Sequence, residues 1–425
     1  MIAPSRIRSS RLVSASPVYY GWVILVIGTL GGIMTSPGQT YAVAVFIDYF
    51  IDDLGLSRSL VSTLYSVATL SASFALPFVG RAFDQHGARL LVALCSALLG
   101  LTCIYMGFVH NALMLGIGFF ALRFLGQGSL SLVSKNAINQ WWVRRRGMAM
   151  GISGVAAALL GMGGFPGLIT WLIGPGDWRG AFIALGWILI LGMFPLGWIF
   201  IRNRPEEYGL LPDGSVGEMT DSADTDPVEE NFTLSAALHT PAFWVIAVGL
   251  AAGSMLNTGL IFHLFSIFRD SGLPTSVTAS VFIPVAATGA LAQLGSGVLV
   301  DRVPIHYMLA LALVLLAAVM VLAPAISSTE MALGFGILMG VQTGIEMLIS
   351  SVVWAQYFGR QHLGSIAGLA STILVGASAL GPMPFGIARD LLGSYEMVLT
   401  WFSALPLGLA AVALRWGKRP GTHRI

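Results

Sequence analysis

Long apolar runs separated by short polar loops dominate the sequence. Each run holds about 20 to 28 residues, and an α-helix of that length crosses a bilayer core of about 30 Å. Six runs precede a long polar stretch, at 19–46, 57–79, 90–109, 112–138, 148–173 and 180–201. Six more follow it, at 243–268, 277–300, 307–326, 331–353, 364–388 and 397–416. The pattern predicts an all-α membrane protein with twelve transmembrane helices, six in each half.

The composition supports lipid as the solvent of these helices. Hydrophobic residues make up 56% of the chain and charged residues 10%, whereas a soluble domain is usually about 25% charged. A net charge of +2 without a basic stripe argues against a nucleic-acid partner. Cys95 and Cys103 are separated by about 12 Å along one helix, too far for a disulfide. We therefore expect no disulfide, no metal site and no cofactor.

The polar stretch separates the expected domains. We predict an N-terminal tail at 1–18, a six-helix bundle at 19–201, a linker at 202–240, a second bundle at 241–416 and a C-terminal tail at 417–425. The linker carries nine of the twenty acidic residues, among them Asp221, Asp224, Asp226, Glu229 and Glu230. Such a segment buries no core, so we expect a mobile connection. A regulatory or partner site is the alternative.

The distribution of basic residues predicts the orientation in the membrane. With the N-terminus inside, sixteen Lys and Arg fall on the cytoplasmic side and four on the other. Short loops rich in Lys and Arg stay in the cytoplasm. We therefore expect a multi-pass protein of the cell inner membrane with both termini in the cytoplasm.

The two halves repeat each other at a nearly constant spacing. The pairs are 216 or 217 residues apart, and they are Gly80 and Gly297, Asp84 and Asp301, Trp142 and Phe358, Arg144 and Arg360, and Gly147 and Gly364. Internal repeats of this kind are typical of transporters built from duplicated bundles.

One loop of the repeat resembles the signature of a known family. Residues 80–89, read as GRAFDQHGAR, lie between the second and third predicted helices and resemble the signature loop of the major facilitator superfamily. The resemblance implies the major facilitator fold, with two pseudo-symmetric six-helix bundles. It also implies that the acidic residue of the loop meets a neighbouring helix end and cytoplasmic arginines as a conformational latch. The gating candidates are Asp84, Arg89, Asp301, Arg302 and Arg144.

Further motifs resemble the branch of monocarboxylate transporters and oxalate/formate antiporters. They are Tyr20-Gly21-Trp22, the run at 141–151, the run RPEEYG at 204–209, and YFGR at 357–360. Members of that branch typically hold a carboxylate with a lysine in helix 1, an Asp/Arg pair in helix 8 or a lysine in helix 11. The present sequence has none of these, so the resemblance does not carry a substrate with it.

Two predicted helices carry polar stripes with a spacing of four residues. The stripe of helix 4 contains Arg123, Gln127, Ser131 and Lys135, and that of helix 10 contains Gln342, Glu346 and Ser350. In the family that the chain resembles, helices 1, 4, 7 and 10 line a central cavity. Helices 1 and 7 add Gln39, beside Pro37-Gly38, and Asn257, before Gly259, and we expect a helix break at each place. The substrate-binding candidates are Gln39, Arg123, Gln127, Asn257 and Gln342.

Charges at membrane depth are costly, so each one predicts a function. We expect Arg123 to bind an anionic group of the substrate; the alternative is a structural partner of Glu346 or of helix carbonyls. We expect Glu346 to carry the coupling proton; the alternative is a fixed counter-ion of Arg123. His263 is a second proton-coupling candidate, and a hydrogen-bonded histidine near the interface is its alternative.

These features favour a secondary active transporter of a small organic anion, in the first place a monocarboxylate, coupled to protons. A larger neutral or heterocyclic nutrient such as a vitamin is the alternative cargo, and export the alternative direction. A non-transporting membrane sensor is the competing class, and an enzyme is not expected, since the sequence shows no catalytic constellation. The expected partners are a small molecule, protons and the bilayer, and we expect a monomer.

Overall fold

The computed structural model describes residues 9–56, 58–174, 177–214, 231–381, 384–385 and 394–420. Over these residues the chain is helical and shows no strand. The central part of the predicted linker, 215–230, lies outside the described residues. It includes Asp221, Asp224, Asp226, Glu229 and Glu230, and the expected mobility of this part therefore stays a prediction.

After a one-turn helix at Arg11–Ser14, the described part of the first half contains nine helices connected by short turns. They are α1 Gly21–Ile33, α2 Thr40–Leu54, α3 Arg58–Met106, α4 Ala112–Leu122, α5 Ser131–Trp141, α6 Arg146–Ala156, α7 Phe165–Ile173, α8 Trp178–Ile188 and α9 Phe194–Phe200. A 3-10 turn, Ser36–Gly38, joins α1 to α2. Stretches of π-helix join α4 to α5, α6 to α7 and α8 to α9, at Arg123–Leu130, Ala157–Gly164 and Leu189–Met193.

The helices described in the second half contain no π-helical stretch, and all except the first are long. They are α10 Leu234–Leu238, α11 Pro241–Asp270, α12 Thr275–Leu299, α13 Ile305–Leu322, α14 Thr329–Phe358, α15 Leu363–Leu380 and α16 Glu396–Trp416. Two 3-10 turns, Pro205–Tyr208 and Pro212–Gly214, form the described start of the predicted linker. The short helix α10 lies directly before α11.

Eleven segments of the described chain are long and apolar enough to span a membrane. One of them, Thr63–Met106, has 44 residues, about twice the length that a bilayer requires. Gly87 divides it, because its φ of 82° is outside the helical range. The predicted second and third helices are therefore separate spans that meet at Gly87, and the prediction of twelve transmembrane helices is confirmed.

Of the two expected helix breaks, one is present. The first predicted span is interrupted at Ser36–Gly38, where Pro37 has no backbone N–H to continue the α-helix. The break expected at Gly259 is wrong, since α11 runs unbroken from Pro241 to Asp270. Gly259 has a packing role instead: a Cβ there would lie 2.4 Å from Phe385 Cε2 and 2.8 Å from the Gly381 carbonyl oxygen.

The described residues form two compact units. The N-terminal unit comprises Met1–Thr233 and Phe358–Leu369, and the C-terminal unit comprises Leu234–Tyr357 and Ala370–Ile425, in each case as far as they are described. The N-terminal unit has an aromatic core in which the rings of Phe46 and Phe182 stack at 4.1 Å. The core of the C-terminal unit is mainly aliphatic and includes Leu256, Leu260, Leu264, Met339 and Leu399. The domain boundaries drawn from the sequence stay predictions.

Large apolar side chains cover much of the outer surface. Leu113 and Trp171 are each 75% exposed, and Ile283 is 73% exposed. Apolar patches of this kind are rare on soluble monomers, whereas lipid tails solvate them well. The surface therefore agrees with the hydropathy of the helices.

Candidate functional site

Arg123 is buried at the start of the π-helix that joins α4 to α5, and only 4% of its surface is exposed. Its Nε donates to Thr69 Oγ1 at 2.9 Å. Its Nη1 donates to the Gly38 carbonyl oxygen at 2.9 Å and to Thr40 Oγ1 at 3.3 Å. The guanidinium also lies 4.8 Å from the ring centroid of Tyr65. Residues of α2, of α3 and of the helix-1 break thus hold one cation in place.

The break in helix 1 is packed directly against the π-helix that carries Arg123. A Cβ on Gly38 would lie 2.2 Å from the Leu122 carbonyl oxygen and 2.9 Å from Gly126 Cα. Only glycine permits this approach, and it brings the freed Gly38 carbonyl to the guanidinium. Gln39 follows directly, and its side chain donates to Thr35 Oγ1 at 3.0 Å. Pi-helical segments are frequent at functional sites, although four-residue spacing alone did not predict this one.

The positive charge of Arg123 is not neutralised by its own surroundings. Its described contacts are a carbonyl, two hydroxyls and an aromatic face, with no carboxylate among them. The remaining nitrogen, Nη2, makes no hydrogen bond to a described residue. Buried charges normally require a partner of opposite sign. Of the structural partners expected for Arg123, one backbone carbonyl, that of Gly38, is in contact with it, and a role of Arg123 in substrate binding stays a prediction.

The polar stripe of helix 4 continues along one exposed face. In α5 nine residues are buried, and the two that are not are Ser131, which is half-buried, and Lys135, which is exposed. Gln127, one turn before Ser131, is also half-buried. The stripe predicted from the sequence is thus the one side of this helix that packing leaves open.

Three predicted residues meet in the C-terminal unit around Glu346. The Oε2 atom of Glu346 accepts from Gln342 Nε2 at 2.7 Å and from Asn257 Nδ2 at 3.0 Å. A Cβ on Gly253 would lie only 2.3 Å from Glu346 Oε1. Both Asn257 and Gln342 are buried. Gly253, on α11, therefore makes room for the carboxylate of α14, and no described contact of Glu346 is with a cation.

Each of the two amides has an oxygen that can accept a hydrogen bond from a protonated Glu346. Asn257 Oδ1 and Gln342 Oε1 are buried and have no hydrogen-bond partner among the described residues. A protonated carboxyl group becomes a donor, and an amide that turns over presents its oxygen to that donor. The cluster of Glu346, Gln342 and Asn257 thus offers hydrogen bonds to both the charged and the neutral form of Glu346.

His263 lies apart from this cluster. Its Nδ1 is 3.2 Å from the Tyr395 hydroxyl, and its ring stacks on Phe385 with the centroids 6.1 Å apart. Because α11 is unbroken, His263 and Asn257 point to different sides of the helix. These contacts are those of a hydrogen-bonded histidine near a helix end, and a role of His263 in proton coupling stays a prediction.

Asp84 binds the first turn of α15. Its Oδ1 accepts from the Gly364 amide at 2.7 Å, and its Oδ2 accepts from the Ser365 amide at 2.8 Å and the Ser365 hydroxyl at 2.6 Å. A carboxylate at a helix N-terminus satisfies amides that have no partner within the helix. Gly80 allows the approach, because a Cβ there would lie 2.0 Å from the Gly364 carbonyl oxygen. The expected meeting of Asp84 with a helix end is therefore observed.

Arg89 is held at the end of α9 and makes no described contact with Asp84. Its Nε donates to the Trp198 carbonyl oxygen at 2.7 Å, and its guanidinium lies 4.5 Å from the Trp198 ring centroid. Its backbone amide donates to Asn203 Oδ1 at 3.0 Å. Arg89 thus fixes the far end of the signature loop. In the repeat of this loop in the second half, Asp301 and Arg302 are exposed.

Arg144 belongs to a second anion-binding turn that the sequence did not reveal. The amides of Val143, Arg144 and Arg145 all donate to the carboxylate of Asp213, at 2.8 to 3.1 Å. Asp213 has a φ of 61°, unusual for a residue other than glycine. Nearby, burial raises the pKa of the Tyr19 phenol, which donates to the Trp141 carbonyl oxygen at 2.8 Å. The start of the linker is therefore fastened beside α6.

Arg360, a motif residue that was not among the predicted site residues, connects the linker to the loop before α15. Its Nη2 pairs with Glu206 Oε1 at 2.7 Å, and its carbonyl oxygen accepts from Gln140 Nε2 at 2.8 Å. The amides of Arg360 and Gln361 both donate to Asn231 Oδ1 at 3.0 Å. Both described ends of the linker thus bind one loop, and only its place in the YFGR motif pointed to Arg360.

Comparison with known families gives a match over most of the chain. The model of the Major Facilitator Superfamily matches residues 29–382.

Curated proteins with detectable similarity are transporters. The chain is 29% identical over 184 residues to a probable L-galactonate transporter of Escherichia coli, covering 40% of this chain and 38% of that protein. It is 25% identical over 258 residues to the oxalate:formate antiporter of Oxalobacter formigenes, covering 60% and 57%. It is 24% identical over 384 residues to a probable sulfoacetate transporter of Cupriavidus necator, covering 85% and 86%. The chain thus spans less than two thirds of the first two relatives.

Among solved structures, the human organic anion transporter MFSD10 superposes with a TM-score of 0.68. The alignment covers 92% of this chain and 99% of that chain at 17% sequence identity. At that identity the similarity concerns the fold, and the fold is that of a major facilitator transporter.

Proposed function

Because the chain belongs to the Major Facilitator Superfamily, we propose that it is a secondary active transporter that moves a small organic anion across the cell inner membrane by alternating access. The first candidate substrate is a monocarboxylate. The observation that carries the proposal is the buried guanidinium of Arg123, whose described contacts include no carboxylate. An anionic substrate supplies the missing charge, and Nη2 supplies a donor for it.

The names of relatives support the same chemistry. The relatives described above are named for L-galactonate, for oxalate and formate, and for sulfoacetate. All four compounds are organic anions. The branch-specific lysines and the Asp/Arg pair are missing here, so Arg123 is the candidate that replaces them. Gln39 and Gln127 lie beside it on helix 1 and on the π-helix, where their amides add neutral hydrogen bonds to a bound anion.

We assign proton coupling to Glu346, with Gln342 and Asn257 as its hydrogen-bond partners. Carrying one proton with the anion neutralises the charge that crosses the membrane, and a pH gradient then drives accumulation. A charge moved through 100 mV changes the free energy by about 2.3 kcal/mol, which a neutral pair avoids. Arg123 stays charged throughout, whereas Glu346 alternates between charged and neutral.

Gating is assigned to the contact of Asp84 with α15 and to the loop arginines. In this proposal the contact breaks when the transporter changes its open side, and Arg89 holds the loop while it does so. Asp301, Arg302 and Arg144 take part at neighbouring loops. Both termini lie in the cytoplasm, and one chain carries every residue that the cycle requires.

The test is transport by the purified protein in liposomes. We expect an inward proton gradient to drive uptake of a radiolabelled monocarboxylate from a panel of monocarboxylates, dicarboxylates, sulfonates and neutral heterocycles. Arg123→Gln should abolish uptake of the anion while the protein still inserts and folds. Lys135→Gln is the matched control, since it removes a cation from the same stripe three turns away.

Uptake confined to neutral heterocycles, or anion uptake unchanged in Arg123→Gln, would overturn the anion assignment. Uptake that depends on Arg123 but ignores the proton gradient would leave the anion assignment in place and remove the role of Glu346.

A further inference from the structure

A pocket of about 390 Å³ opens at the end of the C-terminal unit where α11 begins and α16 ends. Its walls include His239 and Thr240 before α11, and Arg415, Trp416, Lys418 and Arg419 at the end of α16. The site lies far from Glu346. Asn257, which contacts Glu346, is sixteen residues beyond Pro241 on α11, about 24 Å along the helix.

The charge of this pocket is strongly positive. Arg415, Lys418 and Arg419 contribute three cations, His239 adds an imidazole, and none of the lining residues is a carboxylate. Arg415 and Lys418 are exposed. The only contact described for the Arg415 guanidinium is with the ring of Trp416, whose centroid is 5.3 Å away. Such a set of donors suits the oxygens of a phosphate group.

Exposed aromatic and apolar side chains occur in and next to the segments that line the pocket. Trp416, a lining residue, is 51% exposed, and Trp244 and Leu414, each within two residues of a lining residue in sequence, are 48% and 46% exposed. Trp244 donates through Nε1 to the Leu238 carbonyl oxygen at 2.9 Å, which fixes α10 against the start of α11. Exposed tryptophans at helix ends are characteristic of the level of lipid headgroups. The cations of the pocket and the exposed tryptophans therefore occur at the same two helix ends, the start of α11 and the end of α16.

We propose that this pocket binds the phosphate-bearing headgroup of an anionic phospholipid. The shared chemistry is that of a phosphate anion, and a free phosphate is the competing source. The lipid is favoured because the exposed Trp416 lines the pocket, and the exposed tryptophan and leucine side chains of the same helix ends give the acyl chains a surface to cover. Basic pockets at the cytoplasmic ends of transmembrane helices recognise anionic lipids in this way. The site does not depend on which substrate is transported.

The experiment measures the thermal stability of the purified full-length protein in neutral detergent. Phosphatidylglycerol is titrated in one arm, phosphatidylcholine in a second and inorganic phosphate in a third. We expect phosphatidylglycerol alone to raise the apparent Tm. In the double variant Arg415→Gln/Lys418→Gln, the phosphatidylglycerol concentration that gives half of the Tm rise should increase by about fivefold for each cation removed. The matched control is Arg11→Gln/Arg81→Gln, which removes two exposed cations elsewhere.

Three results would overturn the proposal. The first is an equal effect of phosphatidylglycerol and phosphatidylcholine, which would remove headgroup recognition. The second is an inorganic phosphate effect as strong as that of phosphatidylglycerol, which would make the pocket a site for a soluble anion. The third is an identical loss in the two double variants, which would reduce the effect to net charge. Native mass spectrometry of lipid retained on the wild type checks the same point without a substitution.

Discussion

Asp84 and Ser365 are joined by two hydrogen bonds to one oxygen, since both the amide and the hydroxyl of Ser365 donate to Asp84 Oδ2, at 2.8 and 2.6 Å. The residues are far apart in sequence, and the second lies in the first turn of α15. Hydrogen bonds to a charged group contribute about 1.5–3 kcal/mol each. A contact of this strength determines how readily the loop separates from the helix.

We therefore expect Asp84→Asn to slow transport by at least about tenfold, because a neutral amide cannot accept from all three donors at once. Substrate binding should be retained, since the hydrogen bonds of Asp84 go to Gly364 and Ser365 and not to Arg123. The measurement is the initial rate of uptake in liposomes together with ligand-induced stabilisation. Ser365→Ala, which removes only the hydroxyl, should have a smaller effect. Wild-type rates in Asp84→Asn would contradict the gating role.

A second prediction concerns the orientation of Arg123 by Thr69. Thr69→Val keeps the shape of the side chain but removes the acceptor of Nε, whereas Nη1 keeps Gly38. Loss of a hydrogen bond from a charged group predicts a rise in KM of about tenfold with little change in kcat. The control is Thr102→Val in the span that follows Gly87, whose hydroxyl donates to the Leu98 carbonyl oxygen within its own helix. Equal KM values in the two variants would remove the positioning role of Thr69.

The third prediction separates proton coupling from substrate binding. Glu346→Gln keeps the size of the side chain and its contacts with Asn257 and Gln342 but cannot exchange a proton. We expect accumulation driven by a pH gradient to be lost, while exchange of labelled for unlabelled substrate across the membrane continues. Glu330→Gln is the control, because Glu330 is exposed at the start of the same helix. Uphill uptake in Glu346→Gln would exclude Glu346 as the proton carrier.

The sequence predicted the helices and several of the residues that meet, and the reason is physical. An apolar run of bilayer length must satisfy its backbone hydrogen bonds internally, and a helix does so. A charge within such a run is costly and therefore indicates a function. Spacing therefore sufficed to place Gln342 and Glu346 on one helix face and Asn257 among the cavity candidates, whereas the meeting of Asp84 with a helix end followed from the resemblance of its loop. The same reasoning predicted that Ser131 and Lys135 share one face of α5, the face that is not buried.

Other features depend on contacts that spacing does not encode. The π-helix at Arg123–Leu130 arises where Gly38 and Gly126 pack together, and no local pattern indicates it. The acidic linker was read from its composition alone, which suggests mobility throughout. Asp213 and Glu206 instead find partners on distant turns of the N-terminal unit. At Gly259 a glycine was read as a helix break, although it serves the close approach of Phe385.

The fourth prediction tests the packing of the helix-1 break. Gly38→Ala places a Cβ 2.2 Å from the Leu122 carbonyl oxygen, so the break must move away from Arg123. Overpacking of this kind costs about 1–3 kcal/mol of stability, and we expect a lower apparent Tm together with weaker substrate binding. Gly32→Ala is the control, since no atom beyond its chain neighbours and its own helix backbone lies within 4 Å of its Cβ position. A Gly38→Ala protein that matched Gly32→Ala would contradict this account.

The last prediction concerns the ion pair between Arg360 and Glu206. Glu206 is partly exposed, so Glu206→Gln alone should cost only about 0.2–1 kcal/mol of stability. Arg360→Gln should cost more, because it also removes the donor to the Gln140 carbonyl oxygen. A double-mutant cycle on the thermal stability of the full-length protein measures the coupling, and we expect the pair to account for most of the Glu206 effect. If the effects of the two substitutions simply add, the linker is not held through Arg360. Its attachment would then rest on Asn231 and Asp213.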